Sequence, residues 1–329
     1  MKILHICAGW QKWNGAANIA RMIIDEQRRE GHEVSFATWA KVRELRAADE
    51  VWIHCGWLPC LWWAALWGRN VRWMPEACYD PVRLRYHGWK KWLVGPIERW
   101  CLRHCAKIVA TCEAEAEWIR AYEPRVKSIE VTDIKRFFNL NPVNPVNPVK
   151  KDLHLLYLGR RHPLKGLSYL ETALATYYNK WSSAPSSLAP TTACADNPSS
   201  TPSRKAATYY NKCPIEFRVV SDAFGDELER VWDWCDVLVL PTLSENFGLV
   251  IAEALERGKC VITTDGAPAW GENLSRVERV DGGMWSGYGG RLIYLKGYRD
   301  GTPEDRVRLL KSAIENLLSR ASLTPPAAK

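Results

Sequence analysis

The chain has 329 residues, 47% hydrophobic and 25% charged, which is ordinary globular usage and excludes global disorder and collagen-like repeats. Lys and Arg (45) outnumber Asp and Glu (37), and no run of about 18 apolar residues occurs, so no membrane-spanning helix is expected. Eleven Cys at irregular spacings, with no Cys-x2-Cys pair, read as reduced thiols of a cytoplasmic protein and not as a zinc site.

The first seven residues carry one Lys and a short apolar run, which reads as a first β-strand and not as a signal peptide. Further β-rich runs follow at Val34–Thr38, Val51–Cys55, Val71–Met74 and Ile108–Thr111, the first being Ile3–Ala8. Helical patterns alternate with them. Ala16–Glu30 places Ile19, Ala20, Ile23, Ile24 and Gln27 on one face, with Gly31 as a stop. A second helix, Glu113–Tyr122, ends at Glu123-Pro124. Such alternation predicts a parallel, doubly wound α/β sheet. His5, inside the first strand, reads as a satisfied core residue. His54 and Glu76 each end a strand at the carboxyl edge, where open α/β sheets bind ligands, and the small-residue turn at Asn14-Gly15 adds Gly15 to that edge.

From Arg83 to Lys107 seven Lys/Arg face one acid, Glu98, and Trp89, Trp92 and Trp100 lie between them. That mixture suits an anionic membrane surface. Nucleic acid is not expected, because no nucleic-acid motif accompanies the patch.

The Asn-Pro-Val repeat at 139–149 cannot lie inside a helix or sheet and reads as an extended linker. It divides the chain into a first domain at 1–138, a linker at 139–150 and a second domain at 151–329. The second domain opens a new series of strands at Leu153–Leu158, Glu216–Ser221, Val237–Leu240 and Cys260–Thr263. Residues 182–204 are almost all Ser, Pro, Ala, Thr and Asn, flanked by two copies of Thr-Tyr-Tyr-Asn-Lys, so 176–214 reads as a low-complexity insert. Asp222 and Asp226 read as turn and helix N-cap residues, not metal ligands.

Two motifs carry chemistry. Gly159-Arg160-Arg161-His162-Pro163-Leu164-Lys165-Gly166 follows a buried strand and precedes a helix, and its cations and backbone N–H groups can hold a diphosphate. Pro241 to Leu255 places Glu245 in a turn and Glu253 in the helix that follows, with Asn246, Phe247, Gly248 and Leu249 between. Carboxylates of this kind suit sugar and ribose hydroxyls.

In this order, Arg160…Lys165-Gly166, the Glu245-x7-Glu253 spacing with Asn246-Phe247-Gly248, and the strand Asp236-Val-Leu-Val-Leu-Pro241 resemble the retaining glycosyltransferases of family 4. The segment 81–120 and the turn Gly266-Ala267-Pro268-Ala269-Trp270 resemble those that build lipopolysaccharide and other surface glycans. The resemblance implies a GT-B architecture, two Rossmann-like domains facing across a cleft, with the last helix free to return to the first domain. It implies transfer of a sugar from a nucleotide-diphosphate donor to a surface-glycan or glycolipid acceptor, with no metal and no cofactor. Arg160 and Lys165 would neutralise the diphosphate, Glu253 would hold the ribose, and Glu245 with the backbone of residues 246–249 would hold the donor sugar. Gly15, His54 and Glu76 would line the acceptor side, and the protein would sit in the cytoplasm at the inner face of the membrane. Where the family has Pro-His-Gly or Pro-Arg-Gly, this chain has Pro75-Glu76-Ala77. That departure keeps open a competing reading, a catalytically degenerate relative that binds glycans or partners.

Overall fold

The computed structural model describes residues 1–8, 15–56, 59–86, 88–140, 153–181, 215–221, 223–271, 274, 279–280, 284–288 and 291–323. The first sheet contains β1 (Lys2–Cys7), β2 (Glu33–Ala37), β3 (Glu50–His54), β4 (Val71–Met74), β5 (Lys107–Ala110) and β6 (Ile129–Val131). All pair in parallel, in the order β2-β1-β3-β4-β5-β6. The crossovers carry α1 (Gly15–Arg29), α2 (Val42–Ala47), α3 (Pro59–Trp67), α4 (Pro81–Tyr86), α5 (Gly88–His104) and α6 (Glu113–Tyr122). β1 beyond Lys2 and all of β3 are buried, as parallel strands covered on both faces must be. The buried face of α1 is the expected one, Gln27 included, with Ala17 added.

The second sheet contains β7 (Leu153–Leu158), β8 (Ile215–Val220), β9 (Val237–Leu240), β10 (Cys260–Thr264), β11 (Arg279–Val280), β12 (Met284–Gly287) and β13 (Leu292–Leu295). Its order is β11-β12-β13-β10-β9-β7-β8, parallel from β13 to β8 and antiparallel at β11 and β12. Its helices are α7 (Leu167–Trp181), α8 (Asp226–Trp234), α9 (Leu249–Glu256) and α10 (Pro303–Leu323). The fold is thus two Rossmann-like parallel-sheet α/β domains, as the sequence predicts.

The compact units do not follow chain order. One comprises Met1–Asn141 with Leu243–Glu256 and Asp265–Arg276; the other comprises Pro142–Thr242, Arg257–Thr264 and Val277–Lys329. The turn and helix carrying Glu245 and Glu253 therefore cluster with the first sheet, although they follow residue 150 in the chain. Phe247 stacks on Phe138 at 6.0 Å, and the Asn139 N–H donates to Glu256 at 3.1 Å.

Several expectations need correction. Residues 176–181 belong to α7 and not to an insert; the helix absorbs the first Thr-Tyr-Tyr-Asn-Lys copy because Leu170, Ala173 and Leu174 bury its face. Residues 182–214 and most of the linker lie outside the described residues. Asp226 is the first residue of α8; Gly225 is the N-cap, and Asp222 lies outside the described residues. Helix α10 packs against α7 and β13 of its own unit. In agreement with the expected reduced thiols, Cys7, Cys55, Cys60, Cys78, Cys101, Cys105, Cys112, Cys235 and Cys260 form no disulfide.

Lys91 does not belong to the basic surface. It is buried on α5, with Nζ 2.7 and 2.6 Å from the two carboxylate oxygens of Glu98, itself fully buried. Tyr122 donates to Glu98 at 3.1 Å, and Lys91 sits 4.5 Å from the Tyr79 ring centre. Burial pushes the Glu98 carboxyl up, and Lys91 pulls it back down. Breaking a buried pair leaves one charge uncompensated, at a cost of about 3–5 kcal/mol. Glu98→Ala should therefore destabilise the protein by about that amount in urea unfolding, whereas Lys91→Met with Glu98→Leu should recover most of the loss.

Candidate active site

The turn after β7 is built to hold its shape. The Tyr157 hydroxyl donates to the Arg160 carbonyl at 2.9 Å, and the Gly159 N–H extends the β7–β8 pairing to the Val220 carbonyl at 2.9 Å. The His162 side chain accepts from the Leu164 N–H at 3.2 Å and opens a 3-10 turn over Pro163–Lys165. Gly166 closes that turn at φ +67°, and α7 begins at the next residue. A Cβ at Gly166 would lie 1.9 Å from the Pro241 carbonyl oxygen. The Thr242 hydroxyl donates to the Leu164 carbonyl at 3.1 Å, so the turn is fastened to the end of β9. Arg160 is exposed and Lys165 is half-buried, each on a backbone that cannot drift. Two cations at a strand-to-helix turn can take a polyanion such as a diphosphate.

In the other unit, the Glu245 N–H donates to the Gly266 carbonyl at 2.8 Å, and the Asn246 N–H reaches back to Glu245 Oε1 at 3.2 Å. Gly248 has φ +71°, and a Cβ there would meet Glu245 Cγ at 3.2 Å and Ile251 Cδ1 at 3.0 Å, so glycine is required. The Trp270 indole N–H donates to the Phe247 carbonyl, which gives the 268–270 turn a supporting role. Helix α9 starts at Leu249, leaving Glu245 in the loop and half-buried Glu253 one turn inside the helix. A Cβ on Gly15 would lie 4.0 Å from Leu249 Cδ1, so these two predicted residues are neighbours. Asn14 lies outside the described residues.

The carboxyl edge of the first sheet forms a polar cluster that sequence spacing only partly showed. His54 and Glu76 are both buried, with Nδ1 and Oε1 3.7 Å apart. Behind them, His5 Nδ1 lies 3.0 Å from His54 Nε2, and His5 Nε2 lies 2.8 Å from Gln27 Oε1. Burial lowers both imidazoles to about 3 and raises the Glu76 carboxyl to about 8, with help from the Glu115 charge and opposition from Arg83. Glu115 accepts from the Ala77 N–H at 2.6 Å and the Thr111 N–H at 2.8 Å. The Thr111 hydroxyl lies 2.7 Å from Asn246 Oδ1, which ties the edge to the Glu245 loop. Ser244 donates to Asp80 at 2.5 Å and accepts from Arg83 at 3.0 Å. Thr111, Glu115, Asp80, Arg83 and Ser244 were not singled out as site residues by the sequence. Their signal was position alone, each lying in the loop or first helical turns that follow β4, β5 or β9. Among the described residues no group of three or more His, Cys, Asp or Glu is placed to hold a metal ion.

Residues 152–281 match the model of the "Glycosyl transferases group 1" family, and residues 39–132 match the "Glycosyl transferase 4-like domain". A comparison with curated proteins found no match. Among solved structures, the chain is similar to sucrose-phosphate synthase of Thermosynechococcus elongatus, at TM-score 0.60 and 13% identity over 98% of this chain and 90% of that one. It is similar to HepE of Anabaena, solved with UDP and glucose, at TM-score 0.56 and 15% identity over 98% and 93%. A UDP-forming trehalose-phosphate synthase of Burkholderia vietnamiensis gives TM-score 0.53 and 12% identity over 98% and 92%. At these identities the likenesses establish the fold, two Rossmann-like domains of the GT-B type.

The Gly166 packing makes a stability prediction. Gly166→Ala should cost about 2 kcal/mol or more, combining left-handed backbone strain with the overlap on Pro241. Gly31, at φ +85° with nothing within 4 Å of an added Cβ, supplies the control. Gly31→Ala should show the strain alone, about 1 kcal/mol, when both variants are compared by chemical denaturation.

Proposed function

Because the chain belongs to the group 1 glycosyltransferases, we propose that it moves a sugar, with retention, from a nucleotide-diphosphate donor to a surface-glycan or glycolipid acceptor. The observation that carries this reading is the fastened turn from Gly159 to Gly166, which presents Arg160 and Lys165 at the start of α7. In this reading the two cations neutralise the leaving diphosphate. Charge that develops there is met by groups already in place, and one such donor is typically worth about 10²–10³ in rate. Glu253 holds the ribose hydroxyls. Glu245, with the backbone of Asn246, Phe247, Gly248 and Leu249, holds the donor sugar. Gly15, His54 and Glu76 border the acceptor side. The leaving phosphate takes the acceptor proton, so neither a metal nor a cofactor enters.

Arg160→Ala and Lys165→Ala should each lower sugar transfer by about 10²–10³, with the fold intact by circular dichroism. Glu253→Ala should weaken nucleotide binding in calorimetry against UDP, GDP, ADP and TDP. Nucleotide binding without turnover of any donor would favour the degenerate relative instead.

The reading also places the protein in the cytoplasm, at the inner face of a membrane. No helix among the described residues is long and apolar enough to cross one. Support for surface binding comes from α5, where Trp89, Trp92, Leu93, Ile97 and Trp100 recur at helical spacing and are 71%, 84%, 65%, 48% and 39% exposed. Arg85 and Arg99 are exposed on the same segment. Aromatic side chains beside cations suit the headgroup region of an anionic bilayer. Vesicles containing phosphatidylglycerol should co-float with the protein, and Arg85→Glu with Arg99→Glu should remove the salt-sensitive part, at about 1 kcal/mol per reversed or lost cation. Trp92→Ser should weaken binding at any salt. Lys91→Glu is unsuited to this test, since it breaks the buried pair with Glu98.

A further inference from the structure

The line from Gln27 to Glu76 has a direction. An amide oxygen can only accept, so the protonated His5 Nε2 donates a hydrogen bond to Gln27 Oε1. A neutral His5 then offers only a lone pair at Nδ1, and His54 Nε2 must donate to it. His54 Nδ1 is left with a lone pair of its own, and it faces Glu76 Oε1 at 3.7 Å. Both atoms are buried, and neither has a hydrogen-bond partner among the described residues. A carboxylate there would set lone pair against lone pair in a low-dielectric pocket. A carboxylic acid would not.

The strands enforce the alignment. His5 pairs with Trp52, Trp52 with Arg72 and His54 with Met74, so His5, His54 and Met74 share one face of the sheet, and Glu76 follows in the turn just beyond Met74. The His5 and His54 rings stack on Trp52 at 5.6 and 6.3 Å. Glu76 and Ala77 both have positive φ, +56° and +59°, and the Cys78 N–H closes the turn on the Pro75 carbonyl at 3.3 Å. Two consecutive non-glycine residues in the left-handed region are costly, at about 1 kcal/mol or more each, and such strain gathers at functional sites. The charged groups around Glu76 are Glu115 from α6 and Arg83 from α4.

We propose that Gln27, His5 and His54 are positioning residues that hold Glu76 as a neutral carboxylic acid at the end of β4, and that Glu76 thereby selects an uncharged, hydroxyl-bearing sugar. A hydroxyl can accept from the acid and donate to a lone pair. A neutral acid gives an ammonium no charge to pair with, and the nearby Glu115 carboxylate is already occupied by the Ala77 and Thr111 N–H groups. This inference rests on the glycosyltransferase reading for its ligand but not for the state of Glu76.

The test is nuclear magnetic resonance on the full chain labelled at His and Glu, with Glu76→Gln and His54→Asn assigning the signals. At pH 7, His5 and His54 should both be neutral and protonated on Nε2, and one Glu carboxyl should stay protonated and vanish in Glu76→Gln. An imidazolium, an Nδ1-protonated tautomer at either His, or an ionised Glu76 at pH 6 would overturn the inference. Stability gives a second readout. Between pH 4.5 and about 8 the native chain keeps a proton that the unfolded chain loses, so this group's contribution falls as pH rises. The thermal midpoint of the wild type should therefore drop relative to Glu76→Gln between pH 6 and 8; parallel profiles would count against a protonated Glu76. Calorimetry with UDP, UDP-glucose and UDP-glucosamine tests the ligand class, with at least tenfold preference for UDP-glucose expected and equal or tighter binding of the amino sugar overturning it. Failure to bind any nucleotide would fall on the transferase reading, while the spectra would still decide the state of Glu76.

Discussion

Trp73 fixes where the first sheet ends. It is fully buried in β4, its indole N–H donates to the Cys55 carbonyl at 2.8 Å, and its ring lies 3.0 Å from where a Gly56 Cβ would be. The Cys55 N–H continues the ladder to the Met74 carbonyl at 2.9 Å. One side chain therefore sets the exits of two neighbouring strands. His54 and Glu76 sit at those exits, and their separation is a consequence of how β3 and β4 leave the sheet. The polar chain behind them, and the contacts of Glu115 and Thr111 beside them, all assume that edge.

The same region shows how this chain handles buried charge. Glu98 has a cation and a tyrosine hydroxyl. Glu115 has two backbone N–H groups and a threonine. Glu50 has Arg72 at 2.8 Å and the Trp52 indole. Glu76 Oε1 has no hydrogen-bond partner among the described residues, and burial raises its carboxyl to about 8. Meanwhile large apolar side chains of α5 stay outside. Burial here follows pairing as much as hydropathy, which is why Lys91 is interior and Trp92 is not.

Much of this was legible in the sequence. β-rich runs located nine of the parallel strands to within a residue or two, because strands covered on both faces read as continuous apolar segments. The two motifs at 159–166 and 241–255 fell on strand-to-helix turns because glycines and prolines mark those turns directly. What could not be read was pairing across the sheet. His5 looked like core and is core, yet its role depends on sharing a face with His54, which requires the β1–β3 register. Lys91 looked like one cation among seven; Glu98 lies two turns along the same face of α5, and Tyr122 of α6 completes the buried group. The short strands β11 and β12, and β6 with three residues, carry too few side chains to show a period.

The composition of the first unit bears on how the protein is made. Thr111 meets Asn246, which lies 135 residues later in the chain. The stretches that complete this unit, Leu243–Glu256 and Asp265–Arg276, leave the ribosome after three and four of the second sheet's strands, respectively, have been synthesised. The first sheet can pair from local crossovers as it emerges, but the loop and helix that dock on it arrive late, and long-range closure is slow. Biogenesis thus runs in two acts: an early sheet with its carboxyl edge waiting, and a late closure that depends on the chain having been translated through residue 276.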